Sequence, residues 1–427
     1  MWSHAHRRRA KAVGALVLAA SLAACGSDID GFPSPGEIDI RQLDVGNYNT
    51  DPAEYRGKPR HSVAAGEMLD FSRLVDHVVI GSDVDEKFEH ALLSRLLHTP
   101  TYTTIVLTEA AKPILEATGM LYGFSAAAST HPLVDTTYYD STGNFKPFGG
   151  ADTNPEATSF NITVLEFPDD ESARTAAEQI EAADFDVAPD VNARVTIDGL
   201  PTARAHWRPG VPSLAATVSH GSHLINVFVQ QPTADLPELK SLAERVFAAQ
   251  IPLLERMPVL SPRDSLLQPP DPHGVARRTL SLNDGLAVDA DSNAIRTPRG
   301  WLHFVPEQRV WEPMLDSSGV DYIATTKKTA ILFRARDATA ARSLHTAIDA
   351  LYPQPAEAPP NSRDITCAEN PKPKRSGNVL QTWDASDRFL CTVSYDRYVA
   401  RVASTQLTDA QQRAAAQYAL LVKSQYM

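Results

Sequence analysis

Thr158–Phe167 reads TSFNITVLEF, and Pro168 and Asp169 then lead into ESARTAAEQIEAA at 171–183. The first stretch is rich in β-branched and aromatic residues and predicts a strand. The second predicts a helix with Asp169 as N-cap, its carboxylate accepting from free backbone N–H groups at the positive end of the helix dipole. The same unit recurs. Thr329–Ala335 reads TAILFRA, and Asp337 opens ATAARSLHTAIDAL at 338–351. Superposing Asp169 on Asp337 puts Ala173-Arg174 on Ala341-Arg342 and Ile180 on Ile348.

The likeness continues downstream. Ala215–Val229 is AATVSHGSHLINVFV and Leu390–Ser404 is LCTVSYDRYVARVAS. Both carry Thr-Val-Ser, a short polar turn and a second strand in which Ile225 and Val227 fall on Ala400 and Val402, and Asn226 on Arg401. That alternation is what a hairpin with one buried face requires. A final helix follows in each copy, opened by a capping box at Asp235-x-x-Glu238 and at Thr408-x-x-Gln411. In the first of these helices Leu239, Leu242, Val246 and Phe247 keep helical spacing. Each unit reads as strand, helix, two or three antiparallel strands, helix. The fold class is α+β, two tandem ferredoxin-like antiparallel sheet and helix units made by internal duplication, with the helices on one face.

Each copy has a lead-in. Ahead of the first, 86–98 (EKFEHALLSRLLH) and 107–119 (LTEAAKPILEATG) predict helices and Leu121–Ser129 a strand. Ahead of the second, Trp301–Val305 predicts a strand, 306–319 a helix and Val320–Thr325 a strand. Prolines at 252, 258, 262, 269, 270 and 272 mark a linker or surface strap. The domain plan is a signal peptide at 1–24, a tether at 25–45, a first domain at 46–258, a linker at 259–284 and a second domain at 285–427.

The N-terminus has a basic stretch (MWSHAHRRRAK), an apolar stretch at 12–24 too short to span a bilayer, and Leu22-Ala23-Ala24-Cys25. A branched apolar residue, two small residues and Cys form a bacterial lipobox, in which the Cys25 thiol takes a diacylglyceryl group. Two acyl chains anchor stably, since each buried CH₂ contributes about 0.8 kcal/mol. The expectation is a protein tied to the extracytoplasmic face of the cell membrane by lipid on Cys25, with 27–44 as a flexible tether of roughly 25 Å. The chain has 40 basic and 52 acidic residues, and four of the basic ones precede Cys25. Such an acidic body argues against nucleic acid as a partner, because that binding depends on Lys and Arg neutralising phosphates. Cys367 and Cys391 remain. In an oxidising compartment they pair, a loop closure worth about 3 kcal/mol. A metal site is the competing reading but lacks CxxC or His at ligand spacing, and two buried thiols are the third.

Several stretches then acquire a likeness. The lipobox, Leu43-Asp-Val-Gly-Asn-Tyr48, Val195–Ala205 with Gly199-Leu-Pro201-x-Ala-Arg204, and Gly300-Trp-Leu-His-Phe304 together resemble a cell-envelope lipoprotein family of mycolic-acid-bearing actinobacteria, such as mycobacteria and nocardiae. The resemblance runs from signal peptide to C-terminus. It implies a lipidated Cys25 and no particular activity. The repeated units also look like extracellular sensor and lipoprotein domains of such envelopes, an analogy of fold that leaves function open.

Chemistry is sparse. Asp289-x-Asp291-x-Asn293 starts like a calcium loop, but an EF-hand would have Gly and Glu where Ala294 and Gly300 stand, so an exposed acidic turn is the reading. Gly123-Phe-Ser125 half-matches a nucleophile elbow without its second Gly. His220 and His223 flank a hairpin tip that also holds Ser222, and two His are an incomplete metal site. His90 and His98 lack an HExxH, and Lys372, Lys374 and Arg375 form a small basic loop. No catalytic, metal or cofactor site is assigned. The functional expectation is a non-catalytic lipoprotein binding an unidentified envelope ligand, lipid or small molecule, in or between the two domains, with Trp207, Trp301 and Trp311 as lining candidates. The alternatives are a scaffold for another envelope protein, or a hydrolase of envelope glycan or lipid.

Overall fold

The computed structural model describes residues 38–52, 61–92, 94–132, 154–282, 288–290, 293–305, 307–326, 329–352, 354–370 and 387–425. In chain order the first unit comprises α1 (Val63–Val75), α2 (Gly81–Val84), β1 (His90–Ala91), β2 (Arg95–Leu97), α3 (Pro100–Thr103), α4 (Ala111–Thr118), β3 (Tyr122–Ser129), β4 (Ser159–Glu166), α5 (Asp170–Phe185), β5 (Ala193–Val195), β6 (Arg204–Trp207), β7 (Ser213–His220), β8 (His223–Gln230), α6 (Leu236–Glu255) and α7 (Pro262–Leu267). The second comprises β9 (Ile295–Arg296), α8 (Pro298–Leu302), α9 (Gln308–Ser317), β10 (Tyr322–Thr326), β11 (Ala330–Arg334), α10 (Ala338–Asp349), β12 (Pro355–Ala356), β13 (Ile365–Glu369), β14 (Phe389–Tyr395), β15 (Tyr398–Ser404) and α11 (Leu407–Lys423).

The two antiparallel sheets have one topology. The first runs β1-β3-β4-β8-β7-β6-β5 with β2 also on β3, and the second runs β9-β10-β11-β15-β14-β13-β12. The ladders fix the equivalences: Thr217 pairs with Asn226 as Thr392 pairs with Arg401. Helix starts agree too, Asp169 accepting from Ser172 N and Asp337 from Ala340 N, each at 2.8 Å. So do helix ends. Gly119 and Gly319 both adopt positive φ, +71° and +55°, letting Met120 N reach Leu115 O and Val320 N reach Leu315 O at 3.0 Å. This is a tandem duplication of α+β units.

Helices cover both faces of each sheet, where one face was expected. Phe160, Ile162 and Val164 of β4 pack with Leu239, Leu242, Val246 and Phe247 of α6. On the opposite face Leu165 and Leu224 pack with Ala173, Ala176 and Ile180 of α5 and Leu115 of α4. Ile331, Phe333 and Val399 likewise meet Leu344 and Ile348 of α10, while α11 lies against β14 and β15, where Ala400 and Val402 are fully buried. Strands apolar on two faces bury both, and each full Leu or Phe burial contributes about 2–3 kcal/mol.

Three local expectations fail, and the proline-rich strap is locally helical. Residues 86–98 form β1 and β2 instead of a helix, because His90 pairs with Ser129 and Arg95 with Ser125 on β3. Residues 301–305 are not a strand: Thr297 accepts from Gly300 N and Pro298 sits at the first turn of α8. Helix α11 starts ahead of Thr408, with Gln406 as N-cap, and Asp409 in its first turn accepts from Ser404 Oγ at 2.6 Å. The proline-rich stretch contains α7, which docks on α1 where Asp70 accepts from Ser265 Oγ and from Gln268 Nε2 (2.8 Å).

The joint between the units is filled. Phe304 belongs to the core of the first unit with Phe71 and Phe124, and Ile80 belongs to the core of the second with Trp301 and Phe333. Asp76 Oδ1 accepts from Thr297 N and Oγ1 at 3.0 and 2.8 Å. His303, 2% exposed, donates from Nε2 to Val78 O at 3.2 Å and sits edge-on to Phe124. Residues 44–51 reach α11: Asp44 accepts from Gln412 Nε2 (3.0 Å), Tyr48 bridges Asp409 and Arg413, and Lys423 holds Asp51 (2.9 Å).

Candidate functional site

The α5 face of the first sheet changes character along its length. Near Leu165 and Leu224 it is apolar and sealed by α4 and α5. Further along it carries Asn161 and Thr163 on β4, Thr217 on β7 and Asn226 on β8, and above them lies a cavity of about 380 Å³. Its walls come from Val106–Thr108, from Ile180, Glu181 and Asp184 of α5, from His206 of β6, and from Asn192, Arg208 and Val211. The volume is at the lower end of the range of roughly 300–1,000 Å³ usual for small-molecule sites.

Its polar groups divide into two sets. One set is tied down within the protein. Asn161, Ser125 and Thr163 bond to one another at 3.0–3.4 Å beneath the floor. Glu181, 3% exposed, is clamped by Arg194 at 2.7 Å and by His206 Nδ1 at 3.2 Å. Burial pushes the Glu181 pKa up, but the bonds from His206 and Arg194 outweigh it and the net shift is downward, so this carboxylate is ionised and neutralised. The other set retains hydrogen-bonding capacity. Asn226 Nδ2 donates to Thr217 Oγ1 at 2.8 Å and Asn192 Nδ2 to Phe185 O at 2.8 Å, which leaves both carboxamide oxygens with acceptor capacity unused among the described residues. Asp184 stands 3.7 Å from His206 Nε2, and burial raises its pKa against the opposing pull of His206. Arg208 is exposed at the rim.

The second unit shows what the same architecture does when the space is filled. Arg401, at the position of Asn226, is 2% exposed with its guanidinium 5.5 Å from the Trp311 ring and 5.0 Å from the Tyr352 ring. Counting from the helix caps, Tyr352 takes the position of Asp184 and Asp349 that of Glu181; counting from Gly119 and Gly319, Trp311 takes that of Ala111. Asp349 is bonded to Thr366 at 2.7 Å, and Thr366 in turn to His345 at 2.6 Å. Arg401 and Tyr352 thus stand in the second unit at the positions that line the cavity of the first, Asn226 and Asp184.

Cys367 and Cys391 form a disulfide; they face each other on β13 and β14. Cys25, Asp291, Lys372, Lys374 and Arg375 lie outside the described residues. Ser125 is 1% exposed and bonded to Asn161 and Thr163. His220 and His223 face separate carboxylates, Glu255 at 3.8 Å and Glu166 at 3.6 Å. Asp289 accepts from Asn293 N and Nδ2. Ser222 lies in the hairpin turn, where its carbonyl accepts from Phe167 N. His90 is on β1, and His98 meets the Phe71 ring edge-on. Trp301 and Trp311 are core, while Trp207 donates to the carbonyl of Val211 on the cavity wall (2.8 Å). Among the described residues no cluster of three or more His, Cys, Asp or Glu could hold a metal, and no helix is long and apolar enough to cross a membrane. The cavity residues escaped the sequence reading, although polar Asn161, Thr163 and Asn226 inside otherwise apolar strands were the visible signal.

Residues 58–270 match the N-terminal part of a domain of unknown function, DUF7373, and residues 275–424 match its C-terminal part. No curated protein matches the chain. Among solved structures, the extracellular domain of PknH from Mycobacterium tuberculosis aligns at 12% identity with a TM-score of 0.28, covering 44% of this chain and 97% of that one.

Proposed function

The chain belongs to the DUF7373 family, and on that premise we propose that it is a membrane-anchored extracytoplasmic lipoprotein that binds a small ligand, without catalysis, in the cavity of its first unit. One observation carries the reading. Two units of identical strand order differ on the α5/α10 face: buried Arg401, stacked near Tyr352, stands in the second unit where Asn226 and Asp184 line a 380 Å³ space in the first. A walled, solvent-reached space with polar groups, kept in one copy of a duplicated fold where the other copy carries large side chains, is best accounted for by an occupant. The lipobox at Cys25 and the Cys367–Cys391 disulfide support the extracytoplasmic address.

The joint between the units is filled, which leaves the cavity of the first unit as the ligand site. Native mass spectrometry of the full chain, extracted from an actinobacterial host, tests the proposal. The expected result is a reproducible non-covalent adduct that disappears in Asn226→Arg, the substitution that copies the second unit's plug. An unliganded wild type, under conditions that retain its fold, refutes ligand binding. Loss of the acyl mass in Cys25→Ala checks the anchor separately.

A further inference from the structure

The groups that face the cavity without being satisfied inside the protein specify a ligand class. Acceptors are the carboxamide oxygens of Asn226 and Asn192 and the carboxylate of Asp184; donors are the hydroxyls of Thr217 and Ser213 and the rim guanidinium of Arg208. An acyl chain would leave these groups unpaired, at a penalty for each. An anion would require converging cations, but Arg208 is the one Lys or Arg among the cavity's lining residues, and His206 is already engaged by Glu181 and Asp184. A hydroxyl both donates and accepts, so a molecule bearing several of them meets an alternating set of donors and acceptors with no net charge to neutralise. Ile180, Val211 and Phe228 add an apolar side to the same space, which suits the C–H face of a saturated ring.

We infer that the cavity of the first unit takes a neutral polyhydroxylated ligand of sugar or cyclitol type, held by Asn226, Asn192, Thr217 and Asp184. The inference rests on the reading of this unit as a binding module and narrows it to one chemistry. The same hydroxylated ring is available as a free mono- or disaccharide or as the end of a glycan. Glu181 and His206 act as positioning residues: Glu181 fixes the imidazole through Nδ1, and the imidazole in turn faces Asp184.

The test is saturation-transfer-difference NMR on the full chain in a detergent without a sugar headgroup. The probes are hexoses, pentoses, inositol and maltose, with dextran as the polymeric arm and glycine, decanoate and inorganic phosphate as the other classes. Saturable transfer to a hydroxylated ring is expected. It should weaken about tenfold in Asn226→Ala or Asp184→Asn, as for loss of one hydrogen bond, and vanish in Asn226→Arg. Thr366→Val, on the sheet of the second unit, should leave it unchanged, and melting curves establish that each variant is folded. Transfer to free rings alone assigns a soluble sugar, and transfer to dextran as well assigns a glycan end. Binding of glycine, decanoate or phosphate without any hydroxylated probe overturns the ligand class while leaving the binding module intact. No binding by any probe, together with an adduct-free native mass spectrum, overturns both.

Discussion

The joint between the units contains two ionisable groups whose pH dependences oppose each other, and separating them is a quantitative test of how it is built. Burial pushes the Asp76 carboxyl up to about 6, against the hydrogen bonds from Thr297 and the charges of Arg296 and Arg299. Burial pushes His303 down to about 3, reinforced by the Arg299 charge. Between pH 4 and 6 the folded protein therefore keeps Asp76 protonated where the unfolded chain has lost that proton, so this group's stabilisation falls as pH rises. His303 is neutral in the fold where the unfolded chain is protonated, so its contribution rises with pH. Integrating the two linkages gives about 2 kcal/mol lost from Asp76 and about 2.5 kcal/mol gained from His303 across that window. The wild type shows their near-cancellation. Asp76→Asn keeps an oxygen for Thr297 and removes only the titration, so variant minus wild-type stability should rise by about 2 kcal/mol from pH 4 to 6. For His303→Gln the same difference should fall by about 2.5 kcal/mol. Urea unfolding at pH 4, 5 and 6 reads both, and two flat difference curves would falsify the account of a desolvated joint.

Other consequences are local. Replacing Cys367 and Cys391 by Ser should cost about 3 kcal/mol for the loop they close, measured by urea unfolding under oxidising conditions; a loss below about 1 kcal/mol would mean the bridge constrains little. Ala205 and Ala216 hold the same ladder position in the first unit as the two cysteines do in the second, so Ala205→Cys with Ala216→Cys should oxidise spontaneously in a folded protein. Persistent free thiols there would contradict the equivalence of the sheets. Tyr48→Phe removes the hydroxyl shared by Asp409 and Arg413 and should cost about 1–2 kcal/mol, with faster amide exchange at 44–51; unchanged exchange would show that the strap is held elsewhere.

What the sequence made legible was local and repeated. The caps at Asp169 and Asp337, the Thr-Val-Ser strands and the alignment of Asn226 with Arg401 all emerge from short-range pattern, and the ladders reproduce them. A second alignment, Leu115-Gly119-Tyr122 on Leu315-Gly319-Tyr322, was present but hidden, since its flanking residues diverge. The misreadings involve partners far along the chain. Residues 86–98 have helical content but are drawn into strand by β3, and 301–305 has strand-like composition but continues from the helix start at Thr297-Pro298, which distant Asp76 holds by accepting from Thr297 N and Oγ1. The cavity was illegible for the same reason. Asn226 is one polar residue in a hairpin until register, α5 and the loop at Val211 are superimposed on it, and only the contrast with buried Arg401 gives it meaning.

The most direct measurement follows the side-chain amide resonances of Asn161, Asn192 and Asn226 in selectively asparagine-labelled full chain as a saccharide-containing envelope extract is added. All three should shift together, saturably, while Asn361 and Asn370 of the second unit stay fixed. Shifts confined to the second unit, or none at any of the three, would contradict a ligand site in the open copy of the duplicated fold.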